Sequence, residues 1–534
     1  MTSPLGLFVL GVDTLGGGLL GEEPSPGNVR PSAASLAITG SVPVVSAYPG
    51  PGPEPGPEPG SLSKPSLSVR VDWDADGSFS TTGDDISADV ERMTYNLGAC
   101  RDFRGGTQAS SAMLTLLNEN GKYSRENTSG PLYGKLRPNR PIWVTATYAS
   151  VAYGVFAGYV ERLVCDPGAR RAYLYCEGMD QAFGTAPPAI SPSRTRSFSA
   201  YRVAILDALR VPAGGRSFEA EYDSVPFSGG RKVRAIDLLE AINLATGSRH
   251  YIGAGATEAS WYAYTAVNRH HKLDAAVDET IDDALDMDAY ELDLATVGNQ
   301  QSVVATPTVF PGEATVWTCP IVPVSLQAGH SQDIWASFSG FVLDAGFVET
   351  HTGTLTVAAT YFGDSAKFTL TATTDATDAT LTDLHVTGNM GVAAPGISVS
   401  AEDATSVLQT NYGPQAMPEI DTPLLGSSAL AQGLADHLVW RFKDPHPRPV
   451  VRRFNKFPSM IARRLFDVVG LTYPRQSLAA RRFEVVGLTG EIEPGADWTV
   501  SYQLQEAPSQ TALQFFKLGG SAAEGVGGTG VLAR

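Results

Sequence analysis

Asp72, Asp74 and Asp76, followed at once by Gly77, occupy the alternate positions with which a calcium-binding loop begins. Hard cations take such oxygens, and a glycine allows the sharp bend between them. The twelfth position of that loop should supply a bidentate glutamate, and here it is Gly83. Asp84 and Asp85 stand close by, so the sharper reading is a weaker calcium site and the plainer one a polar turn after a strand. Asp76-Gly77 is a turn signal in its own right, and the turn is the reading taken here. Cys100, Cys165, Cys176 and Cys319 contain no Cys-x-x-Cys pair. The expectation is free, half-buried thiols, with Cys165 and Cys176 on neighbouring strands of a hairpin. The histidines do not cluster with the cysteines, which argues against zinc, and adjacent His270-His271 suits neither a helix face nor a single metal site. The sequence holds no G-x-S-x-G, H-E-x-x-H, phosphate-loop or dinucleotide fingerprint, and none of its many carboxylates stands out as a glycosidase pair. Trp317 and Trp335 have the chemistry to stack on sugar rings, although tryptophans in strands usually serve the core. The sequence thus assigns no catalytic, cofactor-binding or metal-binding residue and implies no cofactor. The expectation is a protein that is not an enzyme.

The elements around these residues are mostly strands. Val69, Val71 and Trp73 alternate with Arg70, Asp72 and Asp74, the period of a half-buried strand. Met113–Leu117 ends in Asn-Glu-Asn-Gly, a turn. Ile142–Tyr148, Tyr153–Val160 and Arg171–Gly178 continue the pattern, so residues 67–190 are expected to form an N-terminal β-barrel domain. Residues 191–300 change to an α/β part. They carry a short helix at Tyr201–Leu209 and a better one at Val233–Ala245, capped by Gly247. Residues 301–397 are nearly free of charge and rich in Thr, Val and Ala, which predicts a β-sandwich. Residues 398–450 read as a helical segment. Ser400-Ala401-Glu402-Asp403 looks like a capping box for a helix ending at Tyr412-Gly413, and a longer helix spans Ser428–Phe442. Residues 451–507 close the chain as a β-barrel-like segment. The fold class is α+β, mainly β, with several domains.

The chain of 534 residues has a net charge of −17, which disfavours a general nucleic-acid binder. Charge is unevenly spread. Asp274 to Asp293 holds nine acidic residues and no basic one, a solvated face or a wall that repels DNA. From His437 to Arg482 there are eleven Lys/Arg against Asp444 and Asp467. The simplest expectation is an intersubunit contact, the basic segment facing an acidic wall on a neighbour. Residues 1–66 form a Pro/Gly-rich arm with a strand-like patch, Leu36–Val45, and residues 508–534 a flexible tail. The apolar start lacks a basic region and is broken by glycines, so no secretory signal is expected. No stretch approaches the length of a membrane span.

In order, VDWDADGSF, LTLLNENGKYSREN, GPLYGKLRPNRPIWVTATY, FAGYVERL, ATVWTCP and SAEDATSVLQTNYG resemble a family of siphophage tail-tip proteins, the baseplate hubs and neighbouring minor tail proteins. The resemblance runs from Leu67 to Ala507. It implies a hub-like fold and a structural role at the distal end of a virion tail, after synthesis in the host cytoplasm. It also implies a homotrimer joining a six-fold tail tube to a three-fold tip. The partners would be the tail tube or distal tail protein, the tape-measure protein and tip or receptor-binding proteins, with DNA only in transit. A six-fold distal tail ring and a protein that binds or hydrolyses cell-envelope glycan are the alternatives.

Overall fold

The computed structural model describes residues 64–99, 109–179, 190, 193–219, 224–227, 234–269, 277–288, 290, 294–373, 378–495 and 497–507. The arm up to residue 63, Cys100, His270-His271 and the tail from residue 508 lie outside them.

Alternating apolar residues build six strands in the first part of the chain: β1 (Ser66–Val71), β2 (Val90–Ala99), β3 (Ser111–Leu117), β4 (Arg140–Tyr148), β5 (Val151–Asp166) and β6 (Arg171–Gly178). Two short strands, β7 (Glu279–Ile281) and β8 (Asp286–Met287), come from the acidic run. The last four are β9 (Val450–Phe454), β10 (Val468–Tyr473), β11 (Leu478–Ile492) and β12 (Trp498–Glu506). All twelve belong to one sheet. Its main path runs β1-β4-β5-β6-β3-β2-β11-β12-β9-β8, with β10 added to β11 and β7 to β10. Among the described residues the path does not return on itself, so this sheet is open and not a closed barrel. Residues 67–190 and 451–507, which the sequence presents as separate β units, thus share a sheet. The physical reason is an edge. β2 is paired on one side by β3, and its other row of amides and carbonyls needs a partner. β11 supplies it, from Met93 opposite Ile492 to Ala99 opposite Gly487. One apolar core spans both stretches, with Trp73, Phe156, Phe483, Trp498 and Tyr502 among its buried side chains.

A second core belongs to the α/β part. Helix α1 (Phe198–Ala208) starts at Ser197, whose hydroxyl accepts from the Ala200 amide. Helix α2 (Ala235–Thr246) ends at Gly247, where φ is +68°, a left-handed cap that glycine adopts without strain. Both pack with a hairpin of Arg249–Thr257 and Ser260–Val267. Helix α3 (Ser428–Phe442), capped by the Ser427 hydroxyl, adds Leu434, Leu438 and Phe442 to the same core. Its bounds coincide with those read from the sequence.

The expected helix after Ser400 is absent. Ile397–Glu402 is a strand, antiparallel to Gln300–Ala305, with Ala305 opposite Ile397 and Gln300 opposite Glu402. The capping signal is real but displaced. Asp403, not Ser400, accepts from the amides of Thr405 and Ser406, and it holds a short turn that does not propagate. Ladder bonds to a waiting strand outweigh the local helix signal. This pairing also places residues 306–396 at the tip of a hairpin, as an inserted domain. They form a sandwich with its own core, centred on Phe368, Leu370, Leu381 and Leu384. One sheet is built on Ala379–Met390. The other runs Ser331–Ser337, Ser365–Ala372, Leu355–Tyr361.

Candidate functional site

The Asp-rich turn after β1 is a clasp. The Asp72 carboxylate is buried and accepts from the amides of Asp76 (3.1 Å) and Gly77 (2.9 Å). Asp84 is buried too and accepts from the Thr81 amide. Its carboxyl is held above the ordinary range, chiefly by burial. These oxygens therefore serve the backbone of their own turn. The turn in turn grips the α/β part: the Phe79 amide donates to Glu258 Oε1 at 2.8 Å, and the Ser78 hydroxyl to the same atom at 3.2 Å. Phe79 packs edge-on to Trp261 and tilted against Trp143, whose indole N–H donates to the Gly255 carbonyl at 2.9 Å. The approach is close because Gly154 lacks a side chain. A Cβ on Gly154 would stand 2.3 Å from the Ala254 carbonyl oxygen. Replacing Glu258 with alanine should cost about 1–2 kcal/mol, since it strips a charged acceptor from a partly buried amide. Hydrogen exchange should show residues 76–81 and 254–260 opening together, and exchange unchanged in both segments would contradict the clasp. Among the described residues no group of three or more His, Cys, Asp or Glu is placed to hold a metal ion.

Cys165 and Cys176 do lie on neighbouring strands, β5 and β6, but not opposite each other. Cys165 faces Ala172 and Cys176 faces Val160. Both are free thiols, as is Cys319. The Cys165 thiol donates to the Tyr123 carbonyl, and burial pushes the Cys176 thiol up, away from the reactive thiolate.

The acidic run and the basic segment meet inside one chain. The expected partner is a neighbouring subunit, and part of the contact is made within the same chain. β7 lies parallel to β10, and β8 antiparallel to β9. The register sets Asp286 opposite Arg452. Arg453, 3% exposed, forms a fork with Asp283 (3.0 and 3.2 Å) and stands 2.9 Å from Glu279. Arg463 lies 3.5 Å from both Glu279 and Asp467. Asp278 accepts from the Val468 amide at 2.8 Å. Asp278, Glu279 and Asp283 of the acidic run are therefore used in fastening two short strands to the sheet. A second node joins the two cores. Glu484 of β11, 3% exposed, takes Arg249 from the α/β hairpin on one oxygen (2.5 Å) and Arg441 from the end of α3 on the other (2.7 Å).

A third polar cluster, inside the α/β core, has no counterpart in the sequence reading. Arg202 of α1, fully buried, donates to the Tyr264 hydroxyl at 2.7 Å and to Asn243 Oδ1 at 2.9 Å. Asn243 spends its oxygen on that bond, so its amide nitrogen faces His250 Nδ1. That nitrogen must then accept, and a protonated ring would set donor against donor. Burial, then the Arg202 charge, push the imidazole down to about 3. The unfolded chain binds this proton near pH 6.5, whereas the folded chain refuses it until about 3. Between those values the unfolded state holds more protons, so stability falls as the pH drops, by up to about 1.4 kcal/mol per unit for one such group. Urea midpoints of His250→Gln should show a shallower loss between pH 6 and 4 than the parent. An equal slope would contradict the assignment.

The two tryptophans of the sandwich part company. Trp317 stacks parallel on Phe368 at 6.0 Å and packs, half-buried, against the core. Trp335 lies on the outer face, 39% exposed. Glu484, Arg202, His250 and Glu258 escaped sequence reasoning because each is isolated in a segment that carries no motif. Their partners come from elsewhere in the fold.

No family model matches the chain, and no curated protein is similar to it in sequence at a significant level. Solved structures align with the chain over most of its length. A tail protein from Neisseria meningitidis MC58 aligns over 83% of this chain and 97% of its own, at 9% identity and a TM-score of 0.46. The 43 kDa tail protein of prophage MuSo2 from Shewanella oneidensis covers 82% and 98%, at 8% identity and 0.43. A prophage tail protein from Listeria monocytogenes covers 82% and 94%, at 8% identity and 0.38.

Proposed function

We propose that this chain is a structural component of a bacteriophage tail tip, and within it the baseplate hub that joins a six-fold tube to a three-fold tip and lines the DNA path. The observation that carries the reading is the single sheet built from both ends of the stretch that resembles hub proteins. Strands 66–178 and 450–506 form one body, and the α/β part is fastened to it through Glu258 and Glu484. A distal tail ring would be expected to close through a short N-terminal domain alone. Here those N-terminal strands depend on β11 for an edge. In this reading the protein acts as a homotrimer and is not an enzyme. It contacts the tail tube or distal tail protein, the tape-measure protein and tip proteins. Deleting its gene from the phage should abolish tail-tip assembly. Complete tails that merely fail to adsorb would contradict the reading.

A further inference from the structure

Among the described residues the inserted sandwich contributes no side chain to the two buried cores of the scaffold. Its chain ends are tied together where Ala305 pairs with Ile397. Its sheet of Ser331–Ser337, Ser365–Ala372 and Leu355–Tyr361 turns Ile334, Phe368 and Leu370 inward. Alternation then puts Asp333 and Trp335 of the first strand, and Lys367 and Thr369 of the second, on the opposite face. Register places Trp335 beside Lys367 and Asp333 beside Thr369. One strand further, Thr360 lies beside Lys367.

From this face we infer a saccharide-binding site, with Trp335 as its stacking platform. Of the seven tryptophans, all among the described residues, only Trp335 is exposed. It is braced by Phe362, with ring centroids 5.7 Å apart and planes inclined at 32°. Beside it the Asp333 carboxylate is held by Lys367 at 2.8 Å and by the Thr369 hydroxyl at 2.8 Å. The next row is again hydroxyls, Ser331 against Thr371 at 3.0 Å. A sugar ring has one apolar C–H face and a rim of hydroxyls that donate and accept. An indole takes the first, and a fixed carboxylate, an ammonium and threonine hydroxyls take the second. Asp333 and Lys367 cancel each other's charge, which selects a neutral glycan over an anionic or cationic ligand. Among the described residues the large apolar side chains of this face are Trp335 and Phe362, too small for the buried centre of a stable protein interface. The inference goes beyond the tail-tip reading and stands or falls without it.

The test uses the full chain on an array of neutral cell-envelope oligosaccharides: hexoses, deoxyhexoses and N-acetylhexosamines. The parent should bind a subset of them. Trp335→Ala should weaken that binding at least about tenfold, as loss of an aromatic anchor does, and leave the thermal midpoint unchanged. Trp335→Phe should keep most of the affinity and guards against a folding artefact. Lys367→Ala should weaken binding without abolishing it. No binding by the parent to any member of the array would overturn the inference, and so would binding that Trp335→Ala leaves intact. If Trp335→Ala lowers the oligomeric mass instead, the face contacts a second copy of the chain and the saccharide site is overturned.

Discussion

Glu484→Ala is expected to destabilise the folded chain by about 3–5 kcal/mol, among the largest effects a single substitution has here. The glutamate is buried where the two cores meet, and its two oxygens pair with Arg249 and Arg441 at once. Removing it takes from two guanidinium groups the carboxylate they share in a poorly solvated junction. The penalty comes from the weakened compensation of buried charge, more than from the intrinsic worth of the ion pairs. Glu484→Gln should recover part of the loss, because the amide oxygen still accepts one hydrogen bond. The damage should be directional. Protease cleavage in the hairpin 249–267 and in α3 should rise well before cleavage in β1 to β6. Uniform loss across the chain, or a thermal midpoint within error of the parent, would show that the junction does not join the layers as described.

Arg453→Ala should cost a similar amount, about 3–5 kcal/mol. Arg453 is the buried centre to which Glu279 and Asp283 are tied, so its loss leaves two carboxylates with a weakened partner set. Arg463 reaches Glu279 and Lys456 reaches Asp283, each only at 3.5 to 3.6 Å, which limits compensation. Arg453→Lys keeps the charge but not the planar fork, and should fall between parent and alanine. Chemical denaturation gives the energies, and hydrogen exchange gives the place: protection should vanish first in β7 and β8. If the alanine variant keeps those strands protected, the acidic run is held by something other than this arginine.

The two ionic nodes also mark what the sequence can and cannot show. Helix α3 is legible to the residue because its signals are local: a serine cap before the first turn, and apolar positions returning every fourth residue. Gly247 is legible for the same reason. The helix expected after Ser400 illustrates the opposite case. Its local signal is present at Asp403, but a strand 100 residues earlier offers Ile397–Glu402 a full ladder. The charge asymmetry was visible as composition, and its partners were not. Asp283 and Arg453 stand 170 positions apart, so a partner in the same chain and one in a neighbour look alike in sequence. The pairing of β2 with β11 is hidden for the same reason, since an edge does not announce which strand will fill it. Trp317 and Trp335 both alternate in strands. Which of them faces outward depends on which face of each sheet the sandwich buries, a property of the packed pair of sheets.

The most direct measurement of the central claim is the copy number of this chain in purified tails, by symmetry-free averaging of tail tips with light scattering of the isolated protein. The account predicts three copies around a channel at the distal end, with β1 to β12 forming one continuous body in each. Six copies in a ring, or a stable monomer that never enters a tail, would contradict it.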